Sequence, residues 1–200
     1  EIAGFVRDVT EPLAMMYRVN AGTIPAGHWI QDPEVGGGRV VGEVCHFLDL
    51  MSFLAGASPE SVYAQAVSAD TLTISVTFSD GSIGTIGYFA SGDTAYAKER
   101  LEVFGGGRVA ILDDFRRATL VKDGRIQTVR KVRPDKGHSE ELRAFFEAVM
   151  GETDRIPPFE HLVAVTRATF AVESSLKSGS PVKTHEPVAP SVCGNGNETR

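Results

Sequence analysis

Two hundred residues, 42% hydrophobic and 23% charged, describe an ordinary globular chain long enough to bury one real core. A net charge of −6 argues against nucleic acid and against anionic membrane surfaces as partners. There is no signal-peptide pattern and no long apolar run, and Cys45 and Cys193 lie far apart. The expectation is therefore a cytoplasmic protein with free thiols.

In chain order, the first residue is Glu and a strand-like segment follows almost at once, which reads as part of a longer polypeptide. Residues 13–22 read as a strand closed by a Gly turn, and 23–38, rich in Pro and Gly, as a loop. Apolar residues at 41, 44, 48, 51 and 55 predict an amphipathic helix over 39–54, stopped by Gly56. The period then changes to that of strands, over 61–68, 71–79, 82–90, 100–105, 108–114 and 118–130. Turn signals stand at 79–82, Gly106-Gly107 and Asp123-Gly124. Six or seven strands joined by tight turns predict an antiparallel meander. Two helices follow, 139–149 with Ser139 as N-cap and 159–177, and 188–200 reads as a disordered tail. The fold class expected is α+β, one large, mostly antiparallel β-sheet with helices on one face. Val67, Ile74, Val76, Ile86 and Tyr88 are too apolar to leave both faces wet, which predicts a homodimer through the sheet.

Glu43, His46 and Asp49, spaced three apart on the 39–54 helix, share a stripe opposite its apolar side. An imidazole flanked by carboxylates is an orientable proton carrier; the same spacing also suits a solvated charge ladder. The Gly36–Gly38 loop in front permits positive φ and close approach to a ligand. Glu-x-x-His as a metal ligand would need a second copy on facing helices, which is missing, so no metal is expected. Gly105–Gly107 lies between strands and reads as a hairpin turn, not a dinucleotide loop. His138, His161 and His185 have no partners in the sequence and read as capping or surface groups. Cys45 reads as a core-edge thiol. Trp29, beside His28 in the Pro/Gly loop, is either a lid over the core or the wall of a sugar pocket.

The stretch "GGGRVVGEVCHFLD" resembles the second domain of the Gfo/Idh/MocA oxidoreductases, with Gly-Gly-Gly, three residues, then Asp-x-Gly-x-His-x-x-Asp. Gly36–Gly38, His46 and Asp49 match in register, and the likeness runs from "YRVNAG" to "PFEHLVAVTRATFAVESSLKSGSPV". Two family positions differ, Gly42 standing for the Asp and Val44 for the Gly, and Glu43 is the carboxylate that would replace the missing one. The Gly-Glu-x-Cys-His variant looks most like a branch fused behind zinc-dependent alcohol-dehydrogenase-like domains.

The resemblance implies the C-terminal domain, residues 1–187, of a two-domain enzyme whose N-terminal Rossmann domain, absent from this chain, binds NAD or NADP. It implies a sugar or cyclitol substrate, with His46 as acid/base and Glu43 orienting it. Tyr17, Arg18, Asn20, Trp29, Asp32 and Asp49 would line the pocket. Gly37 and Gly38 would let the loop pass close to the nicotinamide. No Glu-Lys-Pro motif, which carries the family's catalytic Lys, occurs here. The alternative is a module of the same fold that only binds a ligand or dimerises.

Overall fold

The computed structural model describes residues 1–185 apart from positions 26, 33, 154 and 155, so the expected tail and Cys193 lie outside the described residues. A short helix α1 (Ile2–Val6) precedes β1 (Ala14–Asn20), where the sequence suggested direct entry into a strand. A 3-10 turn (Trp29–Gln31) and a π turn (Val40–Val44) lead into α2 (Cys45–Ala55). Then come β2 (Pro59–Ser68), β3 (Thr71–Phe78), β4 (Ile83–Phe89), β5 (Glu99–Gly105), β6 (Arg108–Asp113), β7 (Arg117–Lys122) and β8 (Arg125–Arg130). Helices α3 (His138–Val149) and α4 (Phe159–Ser178) and a two-residue β9 (Val182–Lys183) complete the described chain.

The expected last strand, 118–130, is a hairpin. Asp123 and Gly124 both take positive φ (51° and 70°), the conformation of a two-residue turn between β7 and β8. Gly106 and Gly107 do the same between β5 and β6 (54° and 68°), so the second glycine triplet is indeed a hairpin. Helix α3 starts at His138 behind Gly137 (φ 84°), not behind Ser139.

The strands form one nine-stranded sheet in the order β8-β7-β6-β5-β1-β4-β3-β2-β9. It is mostly antiparallel, as expected, but not a simple meander: β1 is inserted between β4 and β5, parallel to β4. The β3–β4 turn sets this register. The Ser82 hydroxyl accepts from the Leu13 N–H at 2.8 Å and donates to Asp80 at 2.7 Å, while the Ile83 N–H reaches the Leu13 carbonyl. The connection from β4 to β5 must therefore pass the end of β1, which is why residues 90–98 form a longer loop than the hairpins. Asn20 and Arg18 fasten that loop, through the carbonyls of Asp93 at 2.7 Å and Ala97 at 2.6 Å.

Period-2 alternation turns Met15, Tyr17 and Val19 of β1, Ile74 and Val76 of β3, and Ile86 and Tyr88 of β4 toward α2 and α4, where all are buried. This corrects the ground given for a sheet-face dimer. Ile74, Val76, Ile86 and Tyr88 belong to the core, and only Val67 of that set is exposed. The open face instead carries Thr73, Ser75, Thr77 and Thr85, with Ile83, Ala14 and Phe104 as an apolar row across three strands.

Helix α4 buries Val165, Ala168, Thr169, Ala171 and Val172, and the Ser175 hydroxyl accepts from the β2 backbone at Ala64 (2.9 Å). Helix α2 buries Phe47, Leu48, Met51 and Leu54 and ends at Gly56 in the left-handed conformation, the stop read from the sequence. Met51 lies directly over Gly84 of β4, where a Cβ would come within 3.0 Å of its sulfur. Helix α3 buries none of its residues, so its stripe of Leu142, Phe145, Phe146 and Val149 is exposed.

Candidate functional site

The site begins where the helix start is widened. Val40 and Val44 are both buried, and the five-residue π turn between them lets both reach the core; such turns recur at functional sites. A Cβ on Gly42 would lie 2.8 Å from the end of the Ile30 side chain, so an Asp at position 42 would require Ile30 to shift. Arg39, buried under this turn, donates to Glu43 Oε1 at 2.6 Å and to the Gly22 carbonyl at 2.7 Å, and its guanidinium lies over the Tyr88 ring.

His46 is on the exposed side of α2 and opens onto a cavity of about 820 Å³. Across it stand Lys98 and Glu99 from the start of β5, and Lys136 and His138 from the start of α3. The floor is a chain of charged hydrogen bonds. The Tyr17 hydroxyl donates to Glu99 Oε2 at 2.7 Å, and Lys136 Nζ donates to Glu99 Oε1 at 2.7 Å. Glu99 is only 5% exposed, a tolerable place for a carboxylate because both oxygens are engaged. Burial, and then the Glu99 charge, push the Tyr17 phenol far above its ordinary range, so it stays protonated and donates. Burial also raises the Cys45 thiol, leaving it a poor nucleophile.

Of the residues singled out in the sequence, the structure brings Tyr17, Glu43, His46 and Asp49 to this cavity. They are not wired as a ladder. Glu43 is held by Arg39, and Asp49 Oδ1 lies 2.6 Å from His161 Nε2 of α4. His46 has no hydrogen-bond partner among the described residues. His161, read as partnerless, is thus the clasp between α4 and α2, and His138 lines the cavity. Arg18 and Asn20 point to the opposite face of β1 from Tyr17 and hold the 90–98 loop. Trp29 is 61% exposed beside His28 and does not line the cavity. Asp32 shapes the loop, its side chain taking the Glu34 N–H at 2.8 Å and its carbonyl those of Gly36 and Gly37.

Glu99 and Lys136 were not found from sequence. The one available signal was Glu99 occupying an inward position of a strand whose next inward residues are Leu101 and Val103.

Gly36 is required by packing, since a Cβ there would lie 2.4 Å from the Ile30 backbone. Gly37 and Gly38 have positive φ (66° and 80°), and a Cβ on Gly38 would meet only open space. A backbone this bare can come against a flat ring, but a 3-10 turn and not a strand precedes it, so it is no pyrophosphate loop. Among the described residues no group of three His, Cys, Asp or Glu is placed to hold a metal ion, and no helix is long and apolar enough to cross a membrane.

Residues 11–108 match the family model of the GFO/IDH/MocA C-terminal domain. Solved structures share the fold. An aldose-aldose oxidoreductase from Caulobacter crescentus, complexed with glycerol, superposes with a TM-score of 0.77 at 16% identity, over 92% of this chain and 59% of that one. A levoglucosan dehydrogenase in complex with NADH and levoglucosan gives 0.75 at 15% identity, over 92% and 62%. An NAD binding oxidoreductase from Klebsiella pneumoniae gives 0.74 at 18% identity, over 93% and 63%. The chain therefore spans about 60% of the length of these structures. No curated protein matches the sequence.

Proposed function

From a chain that belongs to the Gfo/Idh/MocA oxidoreductase family as its C-terminal domain, we propose the substrate-binding part of an NAD(P)-dependent enzyme acting on a sugar or cyclitol hydroxyl. The observation that carries this reading is His46, an imidazole with no partner among the described residues, on a core-packed helix and facing a large cavity with a hydrogen-bonded polar floor. A bound nicotinamide would supply the hydride acceptor for the carbinol carbon. His46 takes the proton of that hydroxyl on its free ring nitrogen. The Arg39–Glu43 pair fixes the helix start and keeps a carboxylate near the imidazole without engaging it. Gly37 and Gly38 leave room for the nicotinamide, and Asp49, braced by His161, offers a hydrogen-bond acceptor to a neighbouring hydroxyl. Two neighbours support the polyol class, since their structures hold glycerol and levoglucosan.

The dinucleotide is held mainly by a Rossmann domain outside this chain, so the 200 residues alone bind NAD(P) weakly and turn over no sugar. The enzyme works in the cytoplasm, as a homodimer whose contact is the open sheet face around Ile83, Ala14 and Phe104. In the longer polypeptide that this reading requires, His46→Ala should lower sugar-dependent NAD(P) reduction by roughly 10²- to 10⁴-fold. A His46→Ala enzyme with undiminished turnover from pH 6 to 9 would remove His46 from the chemistry.

A further inference from the structure

The cavity's charges are unequally engaged. Four carboxylates line it, and three already have partners: Glu43 with Arg39, Asp49 with His161, and Glu99 with Lys136 and Tyr17. Only Glu141 is free. The cationic side is the reverse. Lys98 makes no side-chain hydrogen bond or ion pair among the described residues. Lys136 uses one of its three donors on Glu99 and is 44% exposed, so the others face outward from a fixed anchor.

Lys98 and Lys136 also border a second cavity of about 420 Å³, which adjoins the first along the Lys98–Glu99–Lys136 wall. Arg116 lines that second cavity, and its guanidinium has no side-chain partner among the described residues either. Two carboxylates line it as well: Glu99, already paired with Lys136 and Tyr17, and Asp114, whose Oδ1 accepts the Glu99 N–H at 2.6 Å. In a chain of net charge −6, this wall gathers three cations whose donors remain available on two cavities that share it.

We propose that the substrate is an anionic polyol. Its carboxylate or phosphate is received by Lys98, Lys136 and Arg116 in the smaller cavity, while the hydroxyl to be oxidised lies in the larger one against His46. Charge-assisted bonds to lysine and arginine recognise either anion, and Glu99, tied down by Tyr17, holds the Lys136 ammonium in place between the two cavities. The inference rests on the reading of the His46 cavity as a substrate site, which it narrows to one class.

The test is binding to the 200-residue chain, followed by amide chemical shifts, with four probes: D-glucuronate, D-glucose 6-phosphate, D-glucose and inorganic phosphate. At least one anionic sugar should bind roughly tenfold or more tighter than D-glucose, and comparison of the first two separates a carboxylate from a phosphate site. Lys98→Met and Arg116→Gln, both on exposed side chains that carry no packing, should each remove most of that preference, and Lys98→Arg should keep it. Equal affinity for D-glucose and the anionic sugars, or a preference that survives both variants, overturns the proposal while leaving a neutral-sugar site intact. Inorganic phosphate bound at this wall with no sugar binding at all supports the anion site and sinks the polyol reading. No binding of any probe overturns the proposal.

Discussion

Helices α2 and α3 form opposite walls of one cavity, and they are built differently. Helix α2 brings His46 and stands on Leu48 and Met51, both fully buried. Helix α3 brings His138 and Glu141 to the same space yet buries none of its residues. His46, the proposed proton acceptor, is thus on the wall whose position the core dictates, where a small displacement would be costly. The α3 wall is held through the segment before it, by Lys136 to Glu99 and by the Lys131 and Asp135 N–H groups to the Arg116 and Phe115 carbonyls, with Asp135 bonded to Lys131 and the Gly137 N–H inside that segment. On the proposed reading, such a site would separate chemistry, which needs rigidity, from recognition.

The comparison is broken most severely in α2. Met51→Ala should lower unfolding stability by about 2–5 kcal/mol in denaturant titrations, because a large fully buried side chain leaves a cavity over Gly84. A loss under about 1 kcal/mol would mean that α2 is not the anchored wall. His161→Ala removes the clasp between α4 and α2. It should cost about 1 kcal/mol by the same measurement, an intermediate effect because Asp49 is half exposed and water can replace the lost partner. Unchanged stability would show that the pair does not tie the helices.

In α3 the expected effect is smaller still. Phe146→Ser should change the stability of this chain by no more than about 0.5 kcal/mol, since the ring is exposed; a drop of several kcal/mol would show that α3 packs on the body of the protein. The smallest effect is one of pH. The hydrogen bond from Lys131, and then the Gly137 N–H, hold the Asp135 carboxyl below its ordinary pKa. A depressed carboxyl contributes stability that is present above its unfolded pKa of 3.8 and lost as pH falls through the lower folded value. Protection of the amides at the start of α3, relative to their intrinsic exchange rates, should therefore fall on acidification below about pH 4 before that of α2 does. Asp135→Asn should abolish the difference, and helices that loosen together would contradict it.

The same two helices show what was legible beforehand. Their apolar periods read equally well in the sequence, as did the strand period, the Gly56 stop and the hairpins at Gly106-Gly107 and Asp123-Gly124, because these are consequences of side-chain spacing and backbone sterics within a few residues. Nothing local distinguished a stripe that meets a sheet from one that does not. His46 and Asp49 were legible through a motif on one turn of helix. Tyr17 was named only through the family resemblance, and its partners Glu99 and Lys136 were not legible, since the three stand 82 and 37 residues apart in sequence and meet only through the sheet and the segment before α3.

By itself, then, the sequence determined the α+β class, the sizes and order of most elements, and the helix that carries His46. Only the tertiary structure decided that β1 lies between β4 and β5, because a strand's pairing edge is not encoded in its own period. The Ser82–Leu13 bond that sets this pairing joins residues 69 apart in sequence. It also decided which carboxylates are engaged and which cations are free, since a charge's partner depends on what long-range packing places within 3 Å of it.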